Sequence, residues 1–324
     1  MPSQSALLYT TSNGERRIRV HTLAIPVSSI VEEIVKSVDI DTLCNIMARQ
    51  ALDTALKAGL EPARQRLFTT CVDVLRGAKP NSHLGALHTG PPGSVYGGPQ
   101  AASAGMHDAP SYPETLKLLP LYTMALQKSV VFRGGADMGP DERSDFMQKL
   151  NVMGVSSSRF FIYPRMFSLH NLSNDACQPT SDDDSNAVGV PGKKVTLPEM
   201  RGLSGNNLTS DGVYMLENSL DVFVWIGHST SPSVLQQLFG ISSLDQSVDL
   251  SNIQLQRCGS DLAIRVDRLL QALMDERCNS MRVFLTREGD PSEAKFYRYL
   301  VEDRTGFMTV AYGEFMALVD RQTR

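Results

Sequence analysis

Hydrophobic and polar positions follow their clearest pattern between residues 212 and 227, where they predict a β-hairpin. Val213–Glu217 and Leu220–Ile226 are short runs rich in β-branched and aromatic residues, and two polar residues separate them. In the second run the β-branched side chains point to one face of the strand, while Phe223 and Trp225 point to the other. Because both faces are apolar, we expect this strand at the centre of a sheet that helices cover on both sides.

A second hairpin is predicted at the amino terminus, where Asn13-Gly14 separates two strand-like runs. A lone hairpin is only marginally stable in water, so we expect its strands, Ala6–Thr10 and Arg17–Leu23, to complete a larger sheet. No other unpaired strand is predicted before residue 155, which favours a chain that begins within a domain.

Between the two hairpins the apolar positions repeat with the period of an α-helix. Capping residues, prolines at first helical positions and terminal glycines give the boundaries. The predicted helices are Val27–Val38, Asp41–Leu60 with Asp41 as N-cap, a segment from Pro62 to Gly77, a segment over Leu116–Leu126 kinked at Pro120, and a segment that Pro140 opens.

After residue 155 strands and helices are mixed, which predicts one sheet with helical cover. The predicted strands are Arg159–Leu169, the two strands of the 212–227 hairpin, Met281–Thr286 and Phe307–Ala311. The predicted helices are Ser233–Phe239, Asp261–Asp275, one that begins at Asp290-Pro291, and Tyr312–Val319.

Two polar stretches break these periods. Residues 78–111 are rich in glycine and proline and poor in large apolar residues, so they predict a disordered insertion. Residues 173–207 predict a mobile loop for the same reason. The first stretch contains His83, His88 and His107, but their spacing is irregular and no cysteine accompanies them, so a metal site is not indicated.

Composition places the chain among soluble globular proteins. It has 324 residues, 42% hydrophobic and 20% charged, enough for two or three domains. The formal net charge of -4 argues against a dedicated nucleic-acid binder, which needs a basic surface. Five scattered cysteines without a Cys-x-x-Cys pair fit reduced thiols. With no signal peptide and no apolar run of membrane-spanning length, we expect a cytosolic protein.

Catalytic templates do not fit the chain. Gly189–Lys194 has a lysine where a phosphate-binding loop needs a hydroxyl, and Gly202–Gly205 is one residue short of a hydrolase nucleophile elbow. No His-Glu-x-x-His motif occurs either. The sequence therefore predicts a protein without enzymatic activity, with no catalytic, cofactor-binding or metal-binding residue.

One candidate interaction site is basic. Arg16, Arg17 and Arg19 give the first hairpin a positive patch that could face an acidic membrane surface or an acidic partner. Protection of a strand edge by charge explains the same residues equally well.

The other candidate site is aromatic. Near the carboxy terminus, aromatic residues are dense enough to line a groove for a peptide, although most of them are expected in the core. The candidate groove residues are Phe296, Tyr297, Tyr312 and Phe315, and Tyr299 belongs to the same aromatic set.

Several short motifs stand in a definite order, and that order is more specific than any one of them. They are Gly14–Leu23 with Pro26-Val27, Leu119–Tyr122 with Lys128-Ser129, Pro140–Arg143, Tyr163–Arg165 with Leu169–Leu172, and Asp211–Tyr214 through Phe223–Gly227. The series resembles the carboxy-terminal part of the cargo-adaptor family of the COPII vesicle coat. The resemblance covers nearly the whole chain apart from the two polar stretches.

The resemblance implies an α+β multidomain fold. Residues 1–25 would be the end of a β-sandwich, residues 26–154 an all-α helical domain, and residues 155–324 an α/β gelsolin-like domain whose mixed sheet is covered by helices on both faces. It also implies that Trp225 is a core residue rather than a binding residue.

The resemblance further implies a non-enzymatic component of the COPII inner coat, acting in cargo selection and vesicle formation between endoplasmic reticulum and Golgi. The implied partners are the sister inner-coat subunit and through it the small coat GTPase, the cytosolic tails of membrane cargo, and an acidic membrane surface. The implied location is cytoplasmic, peripheral on the cytosolic face of endoplasmic-reticulum exit sites and COPII vesicles.

Family members also carry a zinc finger and a trunk domain ahead of these segments. Since the chain has no Cys-x-x-Cys pair, we expect a carboxy-terminal fragment without a cofactor, with the zinc finger in the missing upstream part. Two other functions stay open: the sister coat subunit, which activates the small coat GTPase through an arginine, and a gelsolin-type protein that binds actin or calcium.

Overall fold

The computed structural model describes residues 2–79, 112–134, 138–244, 248–277, 279–306 and 308–324. The chain forms two compact units, Met1–Val38 with Leu75–Leu116, and Asp39–Val74 with Lys117–Arg324. The second unit holds most of the predicted helical and gelsolin-like segments, and the domain boundaries near residues 25 and 154 stay a prediction. Nearly all of the predicted insertion, with its three histidines, lies outside the described residues.

The first unit contains the predicted amino-terminal hairpin, which the strand pairing confirms. Strand β1 (Pro2–Thr10) pairs antiparallel with β2 (Arg16–Ala24). Gly14 adopts φ +82° in the turn, a conformation that glycine reaches without steric cost.

Helix α1 (Val31–Lys36) is much shorter than the predicted helix Val27–Val38. The hydroxyl of Ser28 accepts the Ile30 N–H at 3.0 Å, so a side chain supplies a turn where the helix was expected to begin. The apolar period alone does not reveal this competing hydrogen bond.

Five helices follow along the chain, and the first four are bounded largely as the patterns predict. They are α2 (Ile40–Ala58), α3 (Leu60–Gly77), α4 (Leu119–Lys128) and α5 (Pro140–Val152), and the fifth is α6 (Val155–Ile162). Asp39 rather than Asp41 caps α2, because its carboxylate accepts the Thr42 N–H at 3.1 Å. Pro120 lies in the first turn of α4 and does not kink a helix, since the N–H it lacks would be unpaired there anyway.

The predicted strand Arg159–Leu169 is wrong in its first half. Helix α6 extends to Ile162, and strand β3 covers only Arg165–Ser168. Phe161 is buried, and α6 packs on α2. A short apolar run does not distinguish a buried helix from a strand by period, so only packing decides this segment.

The sheet of the second unit has five strands in the order β6-β3-β7-β8-β9. The strands not yet bounded are β6 (Met200–Arg201), β7 (Val213–Glu217), β8 (Asp221–Ile226) and β9 (Arg282–Arg287). The β8–β9 pair is parallel and the other pairs are antiparallel, so the sheet is mixed as predicted.

Helical segments cover both faces of this sheet, as the opening hairpin requires. Helices α7 (Pro232–Phe239) and α8 (Asp261–Asp275) pack on the face that carries Val224. On the other face, Trp225 packs against Phe296 of helix α9 (Glu293–Tyr297) with ring centroids 6.5 Å apart. The fold is α+β, as predicted.

A buried ion-pair network closes one end of the β7–β8 hairpin. The carboxylate of Glu217, which is fully buried, accepts from Arg165 Nε at 2.9 Å and from Arg277 Nη2 at 3.0 Å. Both guanidinium groups lie over the ring of Phe160, 3.9 and 4.9 Å from its centroid. Two hydrogen-bonded cations offset the desolvation of the carboxylate, and since Phe160 belongs to α6, the network joins that helix to the sheet.

The segment 173–207, predicted as a mobile loop, carries short elements. Strand β4 (Ala187–Val188) pairs with β5 (Val195–Thr196), and Arg265 of α8 donates to Ala176 O at 2.8 and 3.0 Å. Two-residue strands leave no period in a sequence, so composition does not reveal them. Mobility of the segment stays a prediction.

At the carboxy terminus, the predicted strand Phe307–Ala311 is not formed over residues 308–311. Helix α10 (Tyr312–Thr323) then ends the chain. The carbonyl of Val310 accepts from a buried lysine, so it serves a contact outside any sheet. Within the described residues, no helix combines the length and apolarity that a bilayer crossing requires.

The burial of Trp225 generates a prediction about stability. Its side chain is 2% exposed and its Nε1 donates to Glu293 at 2.6 Å. We expect Trp225→Ala to lower the free energy of unfolding by about 3 to 5 kcal/mol, because it leaves a cavity and an unpaired carboxylate. Chemical denaturation measures this loss, and Leu56→Ala on an exposed position should change stability by less than about 0.5 kcal/mol. Unchanged stability with selective loss of peptide binding would make Trp225 a binding residue instead.

Candidate functional site

The three arginines of the predicted basic patch lie on β2, but they do not share a face. The strand register sets Arg17 opposite Tyr9 of β1. Because side chains alternate across a strand, Arg17 and Arg19 point to one face and Arg16 points to the other. The structure therefore forms a patch of two arginines rather than three.

The two arginines of this face differ in their surroundings. Arg17 Nη2 lies 2.6 Å from the carboxylate of Glu15, an exposed ion pair that cancels part of the charge. The guanidinium of Arg19 lies over the Tyr9 ring, 5.6 Å from its centroid. Arg19 therefore supplies most of the uncompensated positive charge on this face.

The opposite face of the hairpin carries Arg16 together with exposed apolar side chains. Leu8, Ile18 and Val20 are 63%, 68% and 53% exposed on it. Contiguous apolar exposure of this kind marks an interaction surface in soluble proteins. Exposed apolar side chains, Leu7 and Leu23, also lie on the face of Arg17 and Arg19.

The four aromatic residues of the predicted peptide groove do not form one cluster, although Phe296 and Tyr297 contact each other with ring centroids 6.3 Å apart. Phe296 is buried beneath the sheet against Trp225, whereas Phe315 is buried against Phe68 of α3, with ring centroids 5.8 Å apart. Tyr297 is 40% exposed, and Tyr312 is half-buried. Residue type alone does not tell which aromatic side chains face the core, so density in sequence overstated a surface here.

The polar feature that the structure does bring together centres on Lys128, the last residue of α4. Its side chain is fully buried, and Nζ donates to the main-chain carbonyls of Val301, Asp303 and Val310 at 2.9, 2.5 and 2.7 Å. We call these three acceptors the carbonyl cage. Since an ammonium group has three donors, the cage satisfies all of them.

Electrostatics around the cage are balanced without a direct ion pair. Burial lowers the pKa of Lys128 to about 8, the charge of Asp303 acts in the opposite direction, and Arg133 lowers it further. Arg133 Nη2 also donates to Lys128 O at 3.2 Å and to Arg298 O at 3.1 Å, and Arg298 pairs with Glu142 of α5 at 2.8 Å. Lys128 and Arg133 thus both donate hydrogen bonds to main-chain carbonyls of the carboxy-terminal segment.

Two carboxylates of this same segment, Glu302 and Asp303, accept hydrogen bonds from other parts of the unit. Glu302 accepts from Leu203 N at 2.6 Å and from the hydroxyl of Tyr163 at 2.5 Å. Asp303 accepts from the Ser204 hydroxyl at 2.7 Å and from Gly205 N at 2.6 Å. Residues 301–303 therefore tie α4, α6 and the 203–205 loop together.

Sequence reasoning missed Lys128, Glu302 and Asp303 as a group. One available signal was a lysine closing the otherwise apolar helix Leu119–Lys128. Another was the small-residue stretch Gly202–Gly205, where a Cβ at Gly202 would lie 3.1 Å from Glu302 Oε1. That stretch receives carboxylates and does not hold a nucleophile.

The described part of the chain contains no cluster of three or more His, Cys, Asp or Glu side chains suited to a metal ion. Cys44, Cys71 and Cys177 are buried free thiols, whereas Cys258 is an exposed free thiol. Burial raises the pKa of Cys71 to about 11 and that of Cys177 to about 12, so both are poor nucleophiles at neutral pH.

Comparison with known proteins matches this architecture. Residues 39–160 match the family model of the Sec23/Sec24 helical domain, and residues 194–268 match that of the gelsolin repeat. The chain is 30% identical to protein transport protein SEC24 C of Arabidopsis thaliana and 28% identical to protein transport protein Sec24C of Homo sapiens. These alignments cover 98% and 99% of this chain and 26% of each relative.

The fold is similar to a solved structure as well. The crystal structure of the human COPII-coat protein Sec24c superposes with a TM-score of 0.74 at 28% identity, covering 99% of this chain and 38% of that one. The chain thus spans about a quarter of the length of the curated relatives it matches.

The carbonyl cage generates the next prediction. We expect Lys128→Met to lower the free energy of unfolding by about 3 to 5 kcal/mol, because three buried carbonyls lose their donor. Lys149→Met is the matched control: Lys149 forms an exposed ion pair with Asp145, and its loss should cost less than about 0.5 kcal/mol. Urea denaturation of both variants measures the difference, and equal stabilities would contradict a structural role for the cage.

Proposed function

Because the chain is homologous to the Sec24 transport proteins over nearly its whole length, we propose that it is a non-enzymatic component of the COPII inner coat. In this role it takes part in cargo selection and vesicle formation in transport from endoplasmic reticulum to Golgi. The observation that carries the proposal is the alignment over 98% to 99% of the chain, with a matching fold at a TM-score of 0.74.

The proposed partners follow from the same homology. They are the sister inner-coat subunit and through it the small coat GTPase, and the cytosolic tails of membrane cargo. The proposed location is the cytosolic face of endoplasmic-reticulum exit sites and COPII vesicles. We propose no cofactor for the residues of this chain and no nucleic-acid partner.

Two other functions have less support. A subunit that activates the small coat GTPase would be expected to match Sec23 proteins, whereas the relatives named above are Sec24 proteins. An actin- or calcium-binding role would rest on the gelsolin repeat over residues 194–268, and that role leaves the helical residues 39–160 without a purpose.

Tagging the protein at its chromosomal locus tests the coat assignment while preserving its natural length. We expect the Sec23-type subunit to copurify with it, and the tagged protein to concentrate at endoplasmic-reticulum exit sites. A protein that neither copurifies with that subunit nor binds cargo-tail peptides would contradict the proposal. Stimulation of the small coat GTPase that one arginine substitution abolishes would favour the sister-subunit function instead.

The basic face of the hairpin is the proposed contact with an acidic membrane. In sedimentation with vesicles containing phosphatidylserine, we expect Arg19→Ala to weaken binding roughly fivefold, since each cation near an anionic surface contributes about 1 kcal/mol. Arg16→Ala is the matched single substitution on the opposite face and should have a smaller effect. Equal losses for both variants would mean that the face does not matter, and no loss would remove the hairpin as the membrane contact.

A further inference from the structure

Strand β9 lies at an edge of the five-stranded sheet. Beyond the strand, Glu288 N–H donates to Ile226 O of β8 at 2.9 Å. In a parallel pair, alternate residues direct both main-chain groups to the same neighbour, so Phe284 and Thr286 also face β8. The N–H and C=O groups of Val283 and Leu285 therefore point away from the sheet.

An open cleft of about 630 Å³ lies along this edge, between residues 248–254 and residues 283–292. The main-chain N–H groups on the far side are paired elsewhere: Ile253 N–H donates to Leu250 O at 3.2 Å, and Gln256 N–H donates to Leu238 O at 2.7 Å. One side-chain bond spans the cleft at its end, from Arg287 Nη1 to Val248 O at 3.2 Å. Among the described residues, no main-chain hydrogen bond joins that segment to Val283 or Leu285. The outward main-chain groups of β9 thus face a cleft without a strand partner.

A second cavity of about 250 Å³ adjoins the cleft on the α8 side of the sheet. Its apolar wall is formed by Val266 and Leu270 from α8, Leu255 from the facing segment, and Val283 and Leu285 from β9 itself, while Gln254, Arg257 and Asp267 add a polar side. The two β9 residues with outward main-chain groups therefore also direct their side chains toward the apolar wall of this cavity.

We propose that the β9 edge binds an extended peptide segment of another protein by strand addition. An extended main chain presents N–H and C=O groups at every second residue, the same spacing as Val283 and Leu285. A helix has these groups paired internally, so it does not satisfy them. The cavity beside the edge then takes an apolar side chain of the bound segment.

The geometry also sets the sequence type of the occupant. In an added strand, alternate side chains point to opposite faces, so residues facing α8 are apolar and of the size of Val, Leu, Ile or Met. The intervening residues point toward the face of Phe284, which is partly open and stacks on Phe223 with ring centroids 5.4 Å apart. A proline is excluded wherever the peptide N–H must reach β9. This binding goes beyond the coat function and does not depend on it.

Amide hydrogen exchange on the free protein tests the open edge directly. We expect the amides of Val283 and Leu285 to exchange rapidly, and those of Phe284 and Thr286 to be protected by their bonds to β8. Equal protection of all four amides would overturn the proposal, because the outward groups would then already be paired.

Binding is tested with synthetic heptapeptides in which threonine alternates with one of Val, Ile, Leu or Met, measured by fluorescence anisotropy. Copies N-methylated at one alternate set of residues should lose about tenfold in affinity, since methylation removes the hydrogen bonds to β9. Copies methylated at the other set should bind as the parent peptide does. Absence of binding by every heptapeptide, or equal loss for both methylated sets, would overturn strand addition.

Two substitutions at one position provide the matched protein variants. Val283→Pro removes the outward N–H without removing a ladder bond to β8, and we expect it to weaken peptide binding about tenfold. Val283→Ala keeps the N–H and should weaken binding less than about threefold, from lost cavity contact alone. Equal affinities for the two variants would overturn the proposal. Should Val283→Pro fold poorly, the methylated peptides on the unaltered protein decide.

Discussion

The ammonium of Lys128 imposes the constraint on which the arrangement of the second unit depends. A lysine that is fully buried gives up its hydration and must recover equivalent oxygen contacts inside the protein. The carbonyl cage supplies three such contacts from a single stretch of chain. The end of α4 and the segment 301–310 are therefore held against each other by these three hydrogen bonds.

This constraint extends through the same short segment to the rest of the unit. Residues 301–303 follow directly after the residues that cover the Trp225 face of the sheet, and their carboxylates hold the 203–205 loop. The Glu217 network adds a second polar link, from α6 to the β7–β8 hairpin. Residues 39–160 and 194–268 match separate family models, yet these buried polar links make them parts of one compact unit.

The buried charged side chains thus form contacts within the protein, and groups available for binding other molecules lie on the surface. On the hairpin of the first unit, Arg17 and Arg19 lie on one face, and Leu8, Ile18 and Val20 are exposed on the other. In the second unit, the sheet ends in a strand with outward main-chain groups beside a cavity. Exposed features of this kind suit contacts with other molecules.

The local sequence was sufficient to predict those helices, strands and turns whose formation depends on neighbouring residues. The alternation around Trp225 predicted a sheet covered on both faces, Asn13-Gly14 predicted a hairpin, and Pro140 predicted a helix start, because periodicity and turn geometry depend on neighbours in the chain. The ordered motifs predicted the family for the same reason, since each one preserves a local turn, cap or strand.

Tertiary structure decided whatever depends on partners distant in sequence. Residues 155–162 form a helix because they pack on α2, and Phe296 and Phe315 enter separate parts of the core instead of one groove. On strand β2, Arg16 points to the face opposite Arg17 and Arg19. The three carbonyls that accept from Lys128 belong to residues more than 170 positions away in the sequence. The sequence alone predicted most of the helices and strands, and it predicted the resemblance to the Sec24 transport proteins. Only the tertiary structure decided which polar groups form buried hydrogen bonds and which stay exposed, because burial depends on packing between residues that are distant in the sequence.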